Sequence, residues 1–526
     1  MSNKLDNIVV VGGGTAGWMT ALMVKTRIPG AKVTVIESAE VGILGAGEGT
    51  TPMFLNFLQY VGISLEDVIK NTKATFKNGL KFTNWDVNND YYYHEFAPRI
   101  DTLNSNKMFH SLQNFGKHQI FYWLNLFNGI PKSKFDFMSM VTDYGSVPFI
   151  HAPGKNVNTS ILSEYEMVGN IGVHFNASLM AVFLKKIAVE RGVVWVEGKV
   201  VNVLSKDNGD IKSLVLENSD VISLDFVFDC SGLHRLLVGN HYKTEWVSSS
   251  DFLQCDSALP FFTPTDEKLP PYTECIAMKY GWMWRIPLQD RYGCGYVFDS
   301  KHITEEEAAK EIETYLGFEP TYPRKNKGAF KFDPGYYKET WVNNCIAIGL
   351  SSGFMEPLEA TNIGVALINL SDSLSDLSAL TRRSDYDKKY FNNQVFKLNS
   401  EIAEFLYLHY ITQKTDTIFW EQFRNLDKSP KKIQPIIKSL STSIPSVVPF
   451  SKWDAFNYSS FYQIVVGNGI LNQELVKEAV TDNKFTESIT FDFYKFRAFL
   501  DQEAKKCVSH KTLITELGGF KTNDLF

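Results

Sequence analysis

The chain has 526 residues, 44% hydrophobic and 14% aromatic, with a formal charge of -6; that is ample for a large core and roughly three domain-sized units. No basic block is present to neutralise phosphates, which excludes a nucleic-acid surface. No apolar run reaches the roughly 18 residues of a membrane helix and the N-terminus enters a strand without a signal pattern, so a soluble, cytoplasmic protein is expected.

The first predicted unit is a strand, a glycine turn and a helix. Ile8 to Val11 is a β-branched run, followed by GGGTAGW, in which Gly12, Gly14 and Gly17 satisfy G-x-G-x-x-G before a helical pattern through Lys25. The first glycine permits the tight turn, the second lets backbone approach a pyrophosphate, and the third lets helix and strand pack closely. A second β-branched run, Lys32 to Ile36, ends in Glu37, 20 residues after Gly17, where a carboxylate can accept hydrogen bonds from a ribose. This predicts a dinucleotide-binding unit and leaves NAD and FAD undistinguished.

Residues 42 to 52, GILGAGEGTTP, form a second glycine-rich loop able to wrap the far side of a cofactor. Phe54 to Lys70, and the segment on to Lys81, read as helical, with Lys77 set among apolar neighbours. Aromatic density peaks at YYYHEFAP (91–98) and FYWLNLF (121–127), either core or the wall of a pocket for a flat ligand. A helix is expected after Val173, closed by Gly192, and DFVFDCSG (225–232) reads as a buried strand ending in an acid and small residues, the place where open α/β sheets hold ligands. In GWMWRIPLQDRYGCGYVF (281–298), Trp282 and Trp284 share one strand face, Met283 and Arg285 the other, and Pro287 completes a rigid apolar wedge.

The run from Cys345 to Leu350 stops at Ser351, Ser352 and Gly353, and Glu359, Thr361 and Asn362 follow before a helical pattern at Gly364 to Leu370. The start of such a helix attracts an anion through its free N–H groups and dipole. Helical pattern continues to about Asn425, a Lys- and Pro-rich linker is expected over 428–449, and an aromatic cluster (Trp453, Phe456, Tyr458, Phe461, Tyr462) precedes a G-N-G at 467–469. Six cysteines (Cys230, Cys255, Cys275, Cys294, Cys345, Cys507) lie scattered without a C-x-x-C pair, which predicts reduced core thiols and no metal site.

GGGTAGW, TFKNGLKF, DCSG, WMWRIP and GFMEPLEATNIG, in this order, resemble the flavin-dependent tryptophan and indole halogenases from residue 5 to about 370, with a weaker tail to about 470. The W-x-W-x-I-P segment is the most specific, because related flavin monooxygenases share only the nucleotide loop. The resemblance implies an α/β, Rossmann-type FAD-binding fold of the flavin monooxygenase kind, spanning 1–375 with substrate-facing insertions at about 82–160 and 250–330, followed by a mainly helical substrate-binding region over 376–526. It also implies a chemistry: reduced FAD and oxygen form a peroxide, halide attacks its distal oxygen, and hypohalous acid travels through a tunnel to a lysine. On this chain that lysine is Lys77, the carboxylate is Glu359, and the halide site is Thr361 and Asn362. Gly14, Thr15, Ala16, Glu37, Gly49, Val200, Leu350 and Ile363 are the implied flavin contacts beside Gly12 and Gly17. His94 and Phe96 line the implied aromatic pocket with Trp453 as a third wall, and Trp282, Trp284 and Pro287 line the tunnel.

In this reading Lys77 holds or carries the electrophilic halogen over one ring carbon, and Glu359 stabilises the cationic ring and accepts its proton. Where the free-tryptophan enzymes show S-T-G after the acid, this chain has Ala360-Thr361-Asn362, which opens the halide pocket to bromide or iodide beside chloride. The tail shows no paired-tyrosine and glutamate arrangement for an amino acid, which favours indoles or other electron-rich aromatics. No second nucleotide motif for NADH is present, so a separate NAD(P)H flavin reductase is the expected partner, with a homo-oligomer left open. The alternatives are a flavin-dependent aromatic hydroxylase and a non-catalytic flavoprotein.

Overall fold

The computed structural model describes residues 5–38, 47–87, 91–97, 124–152, 161–323, 328–440, 442, 456, 458–482 and 487–520. A six-stranded sheet runs in the order Val194–Glu197, Lys32–Glu37, Asn7–Val11, Phe226–Asp229, Cys345–Ala347, Trp341–Val342. The first five strands are parallel and only the last is antiparallel. Buried on both faces, the central strands Lys32–Glu37, Asn7–Val11 and Phe226–Asp229 are near-continuous runs rich in Val, Ile and Phe, as a covered parallel sheet requires, while the edge strand Val194–Glu197 is largely exposed. Val11 pairs with both Ile36 and Asp229, so Gly12, Glu37 and the DCSG turn emerge at one edge of the sheet. The helix Thr15–Arg27 starts there.

A second, seven-stranded sheet is antiparallel apart from one pair, Tyr272–Met278 beside Gly79–Thr83. Its other strands include Gly281–Pro287, Arg291–Phe298 and Tyr91–Glu95. As the alternation predicts, Trp282 and Trp284 point into the core shared with the C-terminal helices, and Met283 into a separate core under the helix Glu305–Leu316. A small antiparallel sheet, Glu48–Gly49, Gly172–Phe175 and Thr75–Lys77, lies between the two larger ones.

Thr75–Lys81 departs from the helical expectation: Thr75–Lys77 is a strand of the small sheet and Gly79–Thr83 a strand of the large one. Asn-Gly is a helix breaker, and the flanking Thr, Phe and Leu fit a pleated, buried surface better than a helical one. A Cβ on Gly79 would run into the carbonyl of His94, so only glycine lets the neighbouring strand Tyr91–Glu95 pass that close. The expected linker over 428–449 likewise contains a helix, Gln434–Leu440, whose Pro435 sits in the first turn where its missing N–H costs nothing. The rest of the C-terminal region is mainly helical, centred on the 26-residue helix Asp385–Tyr410. Its last part returns to the front of the fold: Cys507–Ser509 pairs with Ser146–His151, and His510 Nε2 accepts the Phe76 N–H at 2.9 Å. All six cysteines are free and buried.

Candidate functional site

The cofactor end is made of backbone. Gly12 has φ +116 and its Cα faces the Cys230 carbonyl with no room for a side chain, while a Cβ on Gly17 would strike the Gly12 carbonyl. Open space lies in front of Gly14, and the helix starting at Thr15 has no side-chain cap. Its first N–H groups therefore face outward, as an anion site requires. A Cβ on Gly349, which has φ +73, would lie 3.0 Å from the Ala16 Cβ, so this turn packs close to the glycine-loop helix and brings Leu350 to the same edge; the Ser351 hydroxyl fixes that turn by accepting Gly232 N–H at 2.9 Å. Glu37 lies across Gly13 and pairs with Lys185 at 2.8 Å. Val200 follows the Val194–Glu197 strand beside it, after Gly198 has donated its N–H to the Glu37 carbonyl at 2.8 Å. Two buried oxygens at this end, Thr15 Oγ1 and Glu48 Oε2, have no hydrogen-bond partner. Open space, an uncapped helix start and orphaned polar atoms suit a dinucleotide cofactor. Asp229, by contrast, is spent on structure: it accepts from Ser231, Leu237 and Val238 and turns the chain.

Lys77 stands where the small sheet hands over to the large one. It is 0% exposed, and its Nζ has no hydrogen-bond partner. Nζ lies 3.4 Å from the position of a Cβ built on Gly49 and 5.5 Å from the centre of the Phe96 ring. Burial lowers its pKa to about 8, while the charges of Glu359 and, more weakly, Cys275 pull the other way. His174, with its nitrogens engaged by Thr75 and Thr273 at 3.1 and 2.8 Å, is held neutral by burial and by the Lys77 charge.

Glu359 is 3% exposed and in left-handed backbone (φ 69), as is Ala360 (φ 53). Such conformations cost on the order of 1–3 kcal/mol each for non-glycine residues. They turn the carboxylate back into the protein immediately before the helix Thr361–Ser375, and Ala360 offers that helix no side-chain cap. Thr361, Asn362 and Ile363 thus form an uncapped helix start beside the acid. His94 Nδ1 and His409 Nε2 each contact the carboxylate at 2.8 Å. Burial alone would raise this acid; the His94 charge and the hydrogen bonds from His409 and His94 overcome that and hold it at about 2. His409 Nδ1 faces the Phe405 carbonyl at 2.9 Å, so both its nitrogens meet acceptors and a proton must lie between Nε2 and Glu359. The ligand atoms of His94, Glu359 and His409 all lie within 4.8 Å of one another, a spacing that a cation could also use.

His94 and Tyr92 face the site; Tyr91 and Tyr93 project to the opposite side of their strand, where both donate to Asp143. Phe405 and Phe456 stack at 3.9 Å beside His94 and supply apolar wall. The Asn468 side chain accepts from Tyr92 at 2.8 Å and donates to the His409 carbonyl at 2.8 Å, which gives the G-N-G segment its place. Trp282 donates to Glu356 at 2.9 Å, and Tyr410 donates to the same carboxylate. Burial lifts Glu356 to about 7, against the pull of those two donors. Trp284 lies flat over Gly295, and the Pro287 carbonyl accepts from Thr75 at 2.7 Å, two residues before Lys77. Trp453 and residues 42–46 of the second glycine loop lie outside the described residues. Sequence reasoning missed Glu48, Glu356, Phe405 and His409. Glu48 and Glu356 stand inside motifs already singled out; His409 is a lone histidine in an apolar helix and carries no local signal.

The family model for tryptophan halogenases matches residues 7–482. The tryptophan 7-halogenase RebH of Lentzea aerocolonigenes is 30% identical over 90% of this chain and 91% of its own length. Among solved structures, BrvH, a flavin-dependent halogenase from Brevundimonas sp. BAL3, superposes with a TM-score of 0.82 at 27% identity over 98% of this chain and 99% of its own. The tryptophan 6-halogenase SttH of Streptomyces toxytricini gives 0.81 at 26% identity over 97% and 99%.

Proposed function

Because the chain belongs to the tryptophan halogenase family and is thus a flavin-dependent oxidoreductase, we propose that it uses reduced FAD, oxygen and halide to halogenate indoles or other electron-rich aromatics. The observation that carries this reading is the buried, partnerless Lys77 Nζ beside Gly49 and within Coulombic reach of Glu359. An ammonium kept without a protein partner has hydrogen bonds to offer a small neutral guest. The bound reduced flavin, with oxygen and halide, would supply hypohalous acid, and the uncapped backbone at Thr361 and Asn362 would hold the halide.

Lys77 donates to the hypohalous acid and fixes the electrophilic halogen over the ring, so that position sets regiochemistry. Trp282 and Trp284 keep the organic substrate on the Lys77 side of the wall, and Phe96, Phe405 and Phe456 hold it there. Glu359 then faces the cationic ring. An acid at about 2 is a poor general base at neutral pH, so its larger contribution is a fixed negative charge in a dry site. The ring proton leaves late, to the carboxylate, from a cation acidic enough to give it up. In the broader scheme a separate NAD(P)H flavin reductase delivers the reduced cofactor. Bromide and iodide are accepted beside chloride, because the Asn362 side chain reshapes the halide pocket.

The test is a reaction of purified protein with reduced FAD, oxygen, one of chloride, bromide or iodide, and a panel of indoles, read by mass spectrometry. A halogen isotope pattern in the product is expected. Absence of halogenated product across halides and substrates, or oxygen inserted in its place, would remove the proposal.

A further inference from the structure

We propose that Glu48 is a flavin-binding residue acting as a neutral acid: it donates its carboxyl hydrogen to an anionic oxygen of the cofactor beside Thr15, so that loading flavin takes up one proton from solvent. The inference rests on the flavin-dependent reading above and adds to it a residue and a proton.

The geometry begins with a two-residue strand. Glu48–Gly49 pairs antiparallel to Gly172–Phe175, with Glu48 opposite Phe175 and Gly49 opposite His174. That pairing turns the Glu48 carboxyl toward Thr15, the first residue of the glycine-loop helix, whose hydroxyl is near enough to favour its charged form slightly. Thr15 Oγ1 and Glu48 Oε2 are both buried and both without a well-formed hydrogen bond, beside the open space at Gly14. A buried polar atom left unpaired is costly, and two at one helix start make a pair of hydrogen-bonding groups awaiting the same guest. A pyrophosphate there is anionic, so a charged carboxylate would repel it, whereas a carboxylic acid adds a donor beside the Thr15 hydroxyl.

The charge state of Glu48 agrees with that role. Burial raises its pKa to about 7, against a weaker downward pull from Thr15, and no neighbouring charge contributes. Among the described residues, the titratable groups on the surrounding elements are few. Glu37, across Gly13, is paired with Lys185. His174 is kept neutral by burial and Lys77. Lys77, near Gly49, loses its charge at about 8 and is, among the described residues, the group able to imitate the effect. The sign follows from linkage: the protonated acid binds, an anion beside it raises its pKa further, and between the free and bound values each flavin taken up brings a proton. Affinity therefore weakens as pH rises above about 7.

FAD affinity is measured by fluorescence from pH 6 to 9 for wild type, Glu48→Gln and Lys77→Met, with calorimetry of the wild type in two buffers of different ionisation heat. The wild-type Kd should rise by up to about tenfold per pH unit above neutrality. Glu48→Gln, which always donates, should bind as wild type does at pH 6 and lose the slope, while Lys77→Met keeps it. Calorimetry, which needs no variant, should count about one proton taken up at pH 8 and close to none at pH 6. A flat wild-type affinity, a slope that survives Glu48→Gln, or zero proton uptake at pH 8 would each overturn the inference. The two readings fail separately: proton-linked FAD binding without halogenated product would remove the halogenase proposal alone, and product formation without proton uptake would remove this one alone. A chain that binds no FAD at any pH removes both.

Discussion

Glu48, half-buried with its Oε2 enclosed, and Glu359, fully buried, stand one at the cofactor end and one at the substrate end, yet the first is raised to about 7 and the second held at about 2. Burial pushes both upward. The difference is company: Glu359 has two histidines at 2.8 Å, whereas Glu48 has the Thr15 hydroxyl, whose pull is weaker than the effect of burial. The comparison teaches that in this protein partners, more than depth, decide which buried acid is charged. It also separates a finished site from an unfinished one. At Glu359 the protein has satisfied its own carboxylate and fixed a charge; at Glu48 and at Lys77 it has left polar atoms for something else to satisfy.

The largest predicted effect comes from emptying the unfinished position between the two ends. Lys77→Ala should lower halogenated product by at least about 100-fold, the cost expected when a reactant loses its positioning group, with the rate of flavin oxidation unchanged. Persistence of regioselective product would show that another group holds the oxidant. In the wild type, product per flavin oxidised should fall as pH rises through about 8 and Lys77 loses its proton.

Glu359→Gln keeps the shape of the substrate end and removes its charge. Turnover should drop by about 100-fold or more, while FAD affinity stays as in the wild type; equal loss of both would mean that the two ends are not separate. A milder change, His409→Gln, sharpens the comparison by making Glu359 more like Glu48. One charge-assisted hydrogen bond of about 1.5–3 kcal/mol is weakened, so turnover should fall by roughly tenfold and the acid's pKa should climb. The sign is then fixed: the variant should lose activity on acidification at a higher pH than wild type does. A pH profile superposable on wild type would contradict the clamp.

The smallest effect is at the wall. Trp282→Phe removes the donor to Glu356 and leaves that buried carboxyl with Tyr410. Thermal denaturation should report a loss of about 1–3 kcal/mol, with the substitution of a smaller ring also loosening the barrier between the two ends; unchanged stability would mean that Glu356 finds a new partner.

The cofactor end was legible in the sequence because its function resides in backbone. Gly12, Gly14 and Gly17 must keep their local spacing to make the turn, and Glu37 must close the next strand, so both the β-α-β fold and its purpose are written between Asn7 and Glu37. The substrate end is assembled from side chains at 77, 94, 359 and 409, which lie on two different sheets, a strained turn and a long helix. Glu359 stood out from its place after a buried strand and Lys77 from its apolar neighbours, but their roles, and His94 as a site residue, were reached only through family resemblance. His409 was not reached at all, because a histidine in an apolar helix reads as core until the turn at Glu359 and Ala360 brings an acid against it. The helical reading of Thr75–Lys81 failed for a related reason: two short strands belonging to different sheets leave too few residues in either for a period to show.

The account's central claim is that oxidant is made at the cofactor end and passed inside the protein to Lys77. It is tested most directly by running the reaction with a large excess of a bulk trap for hypohalous acid that is too big to enter the site, and measuring aromatic product and halogenated trap together. The account predicts that wild type makes its aromatic product despite the trap and that Lys77→Ala halogenates the trap in its place. Loss of wild-type product to the trap would mean that the oxidant travels through solvent, and would contradict the claim.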